Sequence, residues 1–404
     1  MLSEQTIRVI KSTVPVLEVH GETITKRFYQ RLFAAHPELL NIFNHANQKQ
    51  GRQQAALANA VYAAALHIDR LEAILPAVKQ IAHKHRSLGI KPEHYPIVGE
   101  NLLGAIKDVL GDAATDEILG AWADAYGVIA GAFIGVEAGM YKEAAEAPGG
   151  WADFRPFVIS RKEQESDVIT SFYLRPQDGG PIADFEPGQY VSLRFQIPGE
   201  TNTHIRQYSL SHAPGQSFYR ISVKRENTRD DVPAGKVSVY LHEQLQEGDV
   251  VELSAPAGDF TLDLQDTRPV TLISGGVGLT PMVSMLHTLV AKQPERAVTF
   301  LHAALDGRHH ALRAEVEAVA AANPQVNVAW CYAQPTEEDR AAGAFDKEGY
   351  IDLPWIQSLV PGRDGSFYFC GPVPFMQAVN AALTAWGVPE ADRRYEFFGP
   401  KGTL

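Results

Sequence analysis

At 404 residues the chain exceeds one ordinary core, and at roughly 100 to 200 residues per domain three domains are expected. Hydrophobic content of 45% with 21% charged residues is that of a soluble globular protein, and a net charge of −12 argues against nonspecific attraction to nucleic acid or an anionic membrane surface. No run approaches the ~20 uninterrupted apolar residues of a membrane span, residues 1–11 lack a leader pattern, and Cys331 and Cys370 form no Cys-x-x-Cys pair. The expectation is a cytoplasmic chain with buried thiols and no disulfide, zinc or iron–sulfur site.

From Ser3 to about Glu146 apolar residues recur at helical spacing, as in Ile24, Phe28 and Phe33, then Leu102, Ile106 and Leu110, then Trp122, Ile129, Phe133 and Met140. This predicts an all-α domain over 1–147, punctuated at Pro37, Gly51, Gly89 with Pro92, and Gly111, and closed by the linker Pro148-Gly149-Gly150. Within Leu75–Leu88 the stripe Val78, Ile81, His85, Leu88 carries one imidazole on an apolar face, while Lys79, Gln80, His83, Arg86 and Ser87 fall on the polar side. Such a histidine is either satisfied by a backbone carbonyl or ligates a metal, and haem iron is the simplest partner for one nitrogen. Gln53 and Leu57 lie one turn apart and share a face, setting a polar donor beside an apolar wall. Glu137 continues the stripe Trp122, Tyr126, Ile129, Phe133, where an unpaired carboxylate is costly, so it needs a partner.

Between residues 148 and 265 short β-rich runs (Phe157–Ile159, Val168–Leu174, Tyr190–Phe195, Tyr219–Val223) alternate with Gly/Pro turns, the pattern of a small antiparallel β-barrel. Arg206-Gln207-Tyr208-Ser209 lies on a further β-rich segment. Gly235-Lys236-Val237-Ser238 opens a helix whose N–H groups and serine hydroxyl suit a pyrophosphate. The charged stretch Asn227–Ala234 before it differs from the short Gly-rich connection expected there.

Over 266–404 apolar strands (Val270–Ile273, Val298–Leu301, Val326–Trp330, Phe367–Cys370) alternate with helical stretches, as in an α/β domain with a parallel sheet. Ser274-Gly275-Gly276-Val277-Gly278-Leu279-Thr280 follows the first of them and precedes a helix, so that a dinucleotide pyrophosphate can approach the backbone. Pro281 stands where a Gly-x-Gly-x-x-Gly fingerprint has its third glycine. Cys370-Gly371-Pro372 follows a later strand. Arg308, after the second strand, is either a 2′-phosphate contact or a surface arginine, which leaves NADH against NADPH open.

In this order the motifs resemble the flavohaemoglobin family along the whole chain, a globin followed by a ferredoxin-reductase-like FAD and NAD(P) module. The resemblance implies that His85 is the proximal ligand of a haem b iron. On the opposite haem face Tyr29 and Gln53 would hydrogen-bond oxygen, with Phe43 against the ring and Leu57 bounding the pocket. Tyr95 and Glu137 would form a polar cluster with His85 that gives the imidazole more imidazolate character. For FAD the resemblance implies contacts from Tyr190, Arg206, Gln207, Tyr208, Ser209, Gly235, Val237 and Ser238. For the pyridine nucleotide it implies Ser274 to Thr280 and Cys370 to Pro372. Tyr395-Glu396-Phe397-Phe398-Gly399-Pro400 resembles the closing flavin-shielding segment, and Lys84 and Glu396 match residues between haem and flavin. The implied activity is nitric oxide dioxygenation, NO and O2 going to nitrate with electrons from NAD(P)H through FAD. The expected partners are these small molecules, with a lipid in the distal pocket left open, in a monomer. Two other readings stand beside it: a haem-dependent alkylhydroperoxide reductase, and an O2 or NO sensor or carrier, which has no use for the nucleotide module.

Overall fold

The computed structural model describes residues 2–43, 51–228 and 232–399, without the side chain of Arg52. The described residues form two compact units, one holding those up to Phe154 together with Arg194–Arg206, the other those from Arg155 to Leu193 and from Gln207 to Phe398.

The first unit is helical: α1 (Glu4–Ser12), α2 (Val14–Ala35), α3 (Arg52–Leu66), α4 (Leu75–Leu88), α5 (His94–Leu110) and α6 (Asp116–Glu146), with short 3-10 turns at Pro37–Asn41, Leu71–Ile74 and Gly111–Ala113. Two breaks, between α1 and α2 and between α3 and α4, fall where no glycine marked them. Ile10, Phe28, Leu32, Leu102, Ile106 and Trp122 interlock in its core. Helix α6 is long and apolar enough by composition to cross a membrane, with a mean hydropathy of 1.4 over its best window. Its Trp122 and Ala125 sit in that core and Glu137 is buried on it, while 22% of that window is buried.

The C-terminal end of α4 positions His85. Gly89 takes a left-handed conformation (φ 79°), its N–H donates to the Arg86 carbonyl, and the Ile90 N–H donates to the His85 carbonyl at 3.0 Å. This is a Schellman closure, which only a residue tolerant of positive φ completes cheaply. It fixes the backbone at His85.

Six strands, β1 (Phe154–Gln164), β2 (Ile169–Pro176), β3 (Tyr190–Phe195), β4 (His204–Ser209), β5 (Tyr219–Lys224) and β6 (Val250–Ser254), form an antiparallel sheet in the order β4-β3-β6-β1-β2-β5. An antiparallel bridge between Leu210 and Ile221 joins the two ends of that order and closes the sheet on itself. Helix α7 (Lys236–Glu243) crosses between β5 and β6.

The C-terminal sheet, β7 (Val270–Gly275), β8 (Val298–Ala304), β9 (Val326–Tyr332), β10 (Lys347–Glu348), β11 (Ser366–Cys370) and β12 (Arg393–Glu396), runs β10-β9-β8-β7-β11-β12 with every pairing parallel. Its helices are α8 (Leu279–Lys292), α9 (Arg313–Ala322), α10 (Glu337–Ala342), α11 (Leu353–Leu359) and α12 (Val373–Trp386). Every residue of β7 and β11 is buried, which explains their unbroken apolar runs. The chain order reverses between β7 and β11, so their carboxyl ends flank the crevice where open parallel sheets take ligands.

Candidate functional site

The strongest constellation lies on α4, α5 and α6. Glu137 Oε1 accepts from Tyr95 Oη at 2.6 Å and from His85 Nδ1 at 2.8 Å, while Tyr95 Oη and His85 Nδ1 are 3.2 Å apart. The Glu137 side chain is 4% exposed and the His85 side chain 31%. Burial, followed by donation to Glu137, pushes the Tyr95 phenol far above its usual range, so it keeps its proton and remains a donor. A carboxylate on Nδ1 fixes both the tautomer and the ring plane, leaving Nε2 as the lone-pair nitrogen. That donor set fits a haem iron.

The face of α4 differs in part from expectation. Val78, Ala82, Arg86 and Ser87 are buried, whereas Ile81, His85 and Leu88 are only half-buried. Arg86 and Ser87 therefore do not lie on a solvated face. Helix α4 turns a Val78–Ala82–Arg86 side toward the protein beside the stripe that carries His85.

Three neighbours of this cluster carry no motif that marks them as site residues in the sequence. Tyr126 Oη donates to the Tyr95 carbonyl at 2.6 Å, and a Cβ on Gly99 would fall 2.5 Å from the Tyr126 ring, so that glycine gives the phenol room. Phe133 lies 5.7 Å from the His85 ring. Tyr141 Oη donates to the Ile90 carbonyl at 2.6 Å, beside the α4 closure. The available signal was their spacing: Tyr126, Phe133, Glu137 and Tyr141 follow one stripe of α6.

Tyr29 on α2 is 6% exposed and enclosed by rings, with Phe28 at 4.8 Å, Phe33 at 5.7 Å and Phe43 at 5.8 Å. Gln53 and Leu57 are half-buried on α3, and Leu57 packs on the same core as Tyr29. Lys84 precedes His85 and is half-buried.

In the antiparallel sheet Arg206, Gln207 and Tyr208 are half-buried on β4 and Ser209 is 8% exposed. Tyr190 exchanges backbone hydrogen bonds with Ala257 at 2.9 Å, and a Cβ on Gly258 (φ 117°) would come within 3.0 Å of its ring. Gly258 thus sets where that ring lies. Gly235 caps α7 without a side-chain bond, leaving first-turn N–H groups such as that of Val237 for an anion, as a pyrophosphate requires. Ser238 Oγ has local work, accepting from the Glu226 N–H at 3.1 Å and donating to the Gly235 carbonyl at 3.0 Å.

The nucleotide loops meet at the carboxyl edge of the parallel sheet. A Cβ on Gly278 would fall 2.3 Å from the Cys370 carbonyl oxygen, and the Phe375 ring fills the space beside Gly275 and Gly371. Gly276 has φ 55°, and Val277 is half-buried. Ser274 and Cys370 are fully buried, and Ser274 Oγ hydrogen-bonds His302 Nδ1 at 2.8 Å. What they can offer a ligand is backbone. Leu279 and Thr280 are buried at the start of α8, and Pro372 caps α12. Glu396 is half-buried on β12, Phe397 packs into the core beside it, Phe398 is 47% exposed, and Gly399 has φ 149°. Pro400 lies outside the described residues. Arg308 is a largely exposed arginine held at 3.2 Å by Asp306.

Comparison with known proteins covers all three regions. Residues 26–133 match the globin family, 156–262 the oxidoreductase FAD-binding domain and 272–381 the oxidoreductase NAD-binding domain. A flavohemoprotein of Bacillus thuringiensis subsp. konkukian is 60% identical over 404 residues, the full length of both chains. The flavohemoglobin of Malassezia yamatoensis, solved with FAD and heme, superposes with a TM-score of 0.85 at 28% identity, over 98% of this chain and 100% of that one. A Vibrio cholerae FAD/NAD-binding domain, described as that of a nitric oxide dioxygenase, is 43% identical over 61% of this chain and 99% of its own, with a TM-score of 0.55.

Proposed function

Because the chain belongs to the flavohemoprotein family and joins a globin to FAD- and NAD-binding oxidoreductase domains, we propose that it is a nitric oxide dioxygenase, turning NO and O2 into nitrate at the expense of NAD(P)H. The carrying observation is the carboxylate shared by His85 and Tyr95. When bound, haem supplies the oxygen chemistry, and FAD splits the two-electron delivery of a nicotinamide into single electrons.

Glu137 does the tuning. A carboxylate accepting from Nδ1 makes the opposite nitrogen a stronger electron donor, which favours reaction of oxygen over its storage. Tyr95 supports this by donating to the same oxygen, so the carboxylate cannot turn away from the imidazole without losing two bonds. Across the helical unit, the rings of Phe28, Phe33 and Phe43 hold Tyr29 and exclude water around it. The phenol and the Gln53 carboxamide are the groups suited to steady a polar diatomic. In the second unit, residues 274–280 and 370–372 offer the nicotinamide dinucleotide backbone groups, and glycines at 275, 278 and 371 let the two segments approach closely.

The test couples NO consumption to NAD(P)H oxidation and nitrate formation. His85→Ala should abolish the dioxygenase while NADH–ferricyanide reductase activity persists, and a His85→Ala protein with full NO turnover refutes the assignment. A second reading draws on the same imidazole–carboxylate pair, since electron push also serves cleavage of an alkylhydroperoxide. Turnover with cumene hydroperoxide matching that with NO would favour it.

A further inference from the structure

One cluster in the second unit has the chemistry of a ligand set and includes none of the residues assigned above to haem, flavin or nicotinamide. His212 lies three residues beyond Ser209, His287 is on α8 and Glu315 is on α9. His287 Nε2 and Glu315 Oε1 are 2.5 Å apart, and the two imidazoles stack with centroids 5.0 Å apart at 15°. His212 Nδ1 is buried without a hydrogen-bond partner. One ligand atom from each of the three residues lies within 4.8 Å of the others.

The carboxylate is held in place from its other side. Arg220, whose side chain is 2% exposed, grips Glu315 with Nη1 on Oε2 at 2.7 Å and Nη2 on Oε1 at 2.9 Å. Glu315 also lines a cavity of about 430 Å³ with Glu163, Glu165, Glu317 and Arg313. Arg313 is paired to Glu317 and Glu163 to Arg161, each at 2.7 Å.

We propose that His212, His287 and Glu315 form a second metal site that takes Zn2+ or a divalent cation of the same borderline class, with water as the fourth ligand. Two imidazoles and one carboxylate are a zinc donor set, and such a site keeps one open position. Tetrahedral bonds of about 2.0–2.1 Å place ligand atoms about 3.3 Å apart, so His212 has to swing inward while the cation replaces the His287–Glu315 hydrogen bond. Arg220 keeps Oε2 and acts as the positioning residue. Because His212 follows the flavin-motif strand and α8 begins at the nucleotide loop, a bound cation ties those two segments together.

The test is calorimetric titration of ZnCl2 into untagged holoenzyme, whose haem already engages His85. One equivalent should bind with a micromolar Kd and raise the unfolding temperature. Both effects should weaken by roughly tenfold or more in His212→Ala and in His287→Ala, but not in a His20→Ala control. These two histidines come from different elements, and flavin and haem absorbance reports whether each variant is folded. Absence of a stoichiometric site in the wild type, or unchanged affinity in either folded histidine variant, overturns the proposal.

Discussion

Replacing Glu137 by Gln keeps the shape of the buried side chain and removes its charge. The single oxygen Oε1 takes both the Tyr95 and the His85 bonds, at 2.6 and 2.8 Å, in a side chain 4% exposed. A hydrogen bond to a charged acceptor contributes about 1.5–3 kcal/mol against about 0.5–1.5 for a neutral one, so the variant loses about 1–2 kcal/mol of donation to the imidazole. If the more positive, oxidised haem bears that loss, its one-electron midpoint potential rises by about 40–90 mV. The same energy lost from the NO-consuming step slows it about five- to thirtyfold. Spectroelectrochemical titration of the Soret band reads the first number and NO-dependent NADH oxidation the second, with NADH–ferricyanide activity as the control. A Glu137→Gln protein whose potential and NO turnover both match the wild type would refute the tuning argument.

Gly278→Ala forces its new methyl against the Cys370 carbonyl, overpacking worth about 1–3 kcal/mol that has to separate the two nucleotide loops. The KM for NADH should rise roughly tenfold with the Soret spectrum unchanged, and an unaltered KM would count against the loop pairing. His302 is fully buried and burial pushes its imidazole down to about 3 from 6.5. Between these values the unfolded chain binds a proton that the folded chain refuses, so stability should fall as pH drops from about 6.5 toward 3. Urea midpoints at pH 7 and pH 5 measure the fall, which His302→Asn should lessen; an identical fall in the variant would assign it elsewhere. Glu315→Ala leaves the Arg220 guanidinium buried without its carboxylate and should cost about 3 kcal/mol in chemical denaturation. A loss below about 1 kcal/mol would mean that Arg220 finds another acceptor.

Much of the site was legible because its signals are local. Glu137 betrayed itself as a carboxylate on an apolar stripe, His85 as an imidazole on another, and the glycines at 275, 276 and 278 as a bend between strand and helix. Helix α4 shows the limit of such reading. Arg86, one position and about 100° of rotation beyond His85, was expected on the polar side and is buried against the protein. At residue 274 the sequence places a loop, whereas β7 runs on through Gly275 and the Ser274 hydroxyl turns onto His302.

The order of α, antiparallel and parallel regions follows from patterns among neighbours within a few residues, and this the amino-acid sequence determined unaided. Tertiary packing decided which side chains share atoms. His85, Tyr95 and Glu137 are separated by as many as 52 residues yet meet at one carboxylate oxygen. Likewise, Gly278 makes room for a carbonyl on another strand, and His212, His287 and Glu315 converge from three elements. Hydrogen bonds and ligand sets depend on fractions of an ångström, and those are set only when helices and strands lock against one another in a dense core.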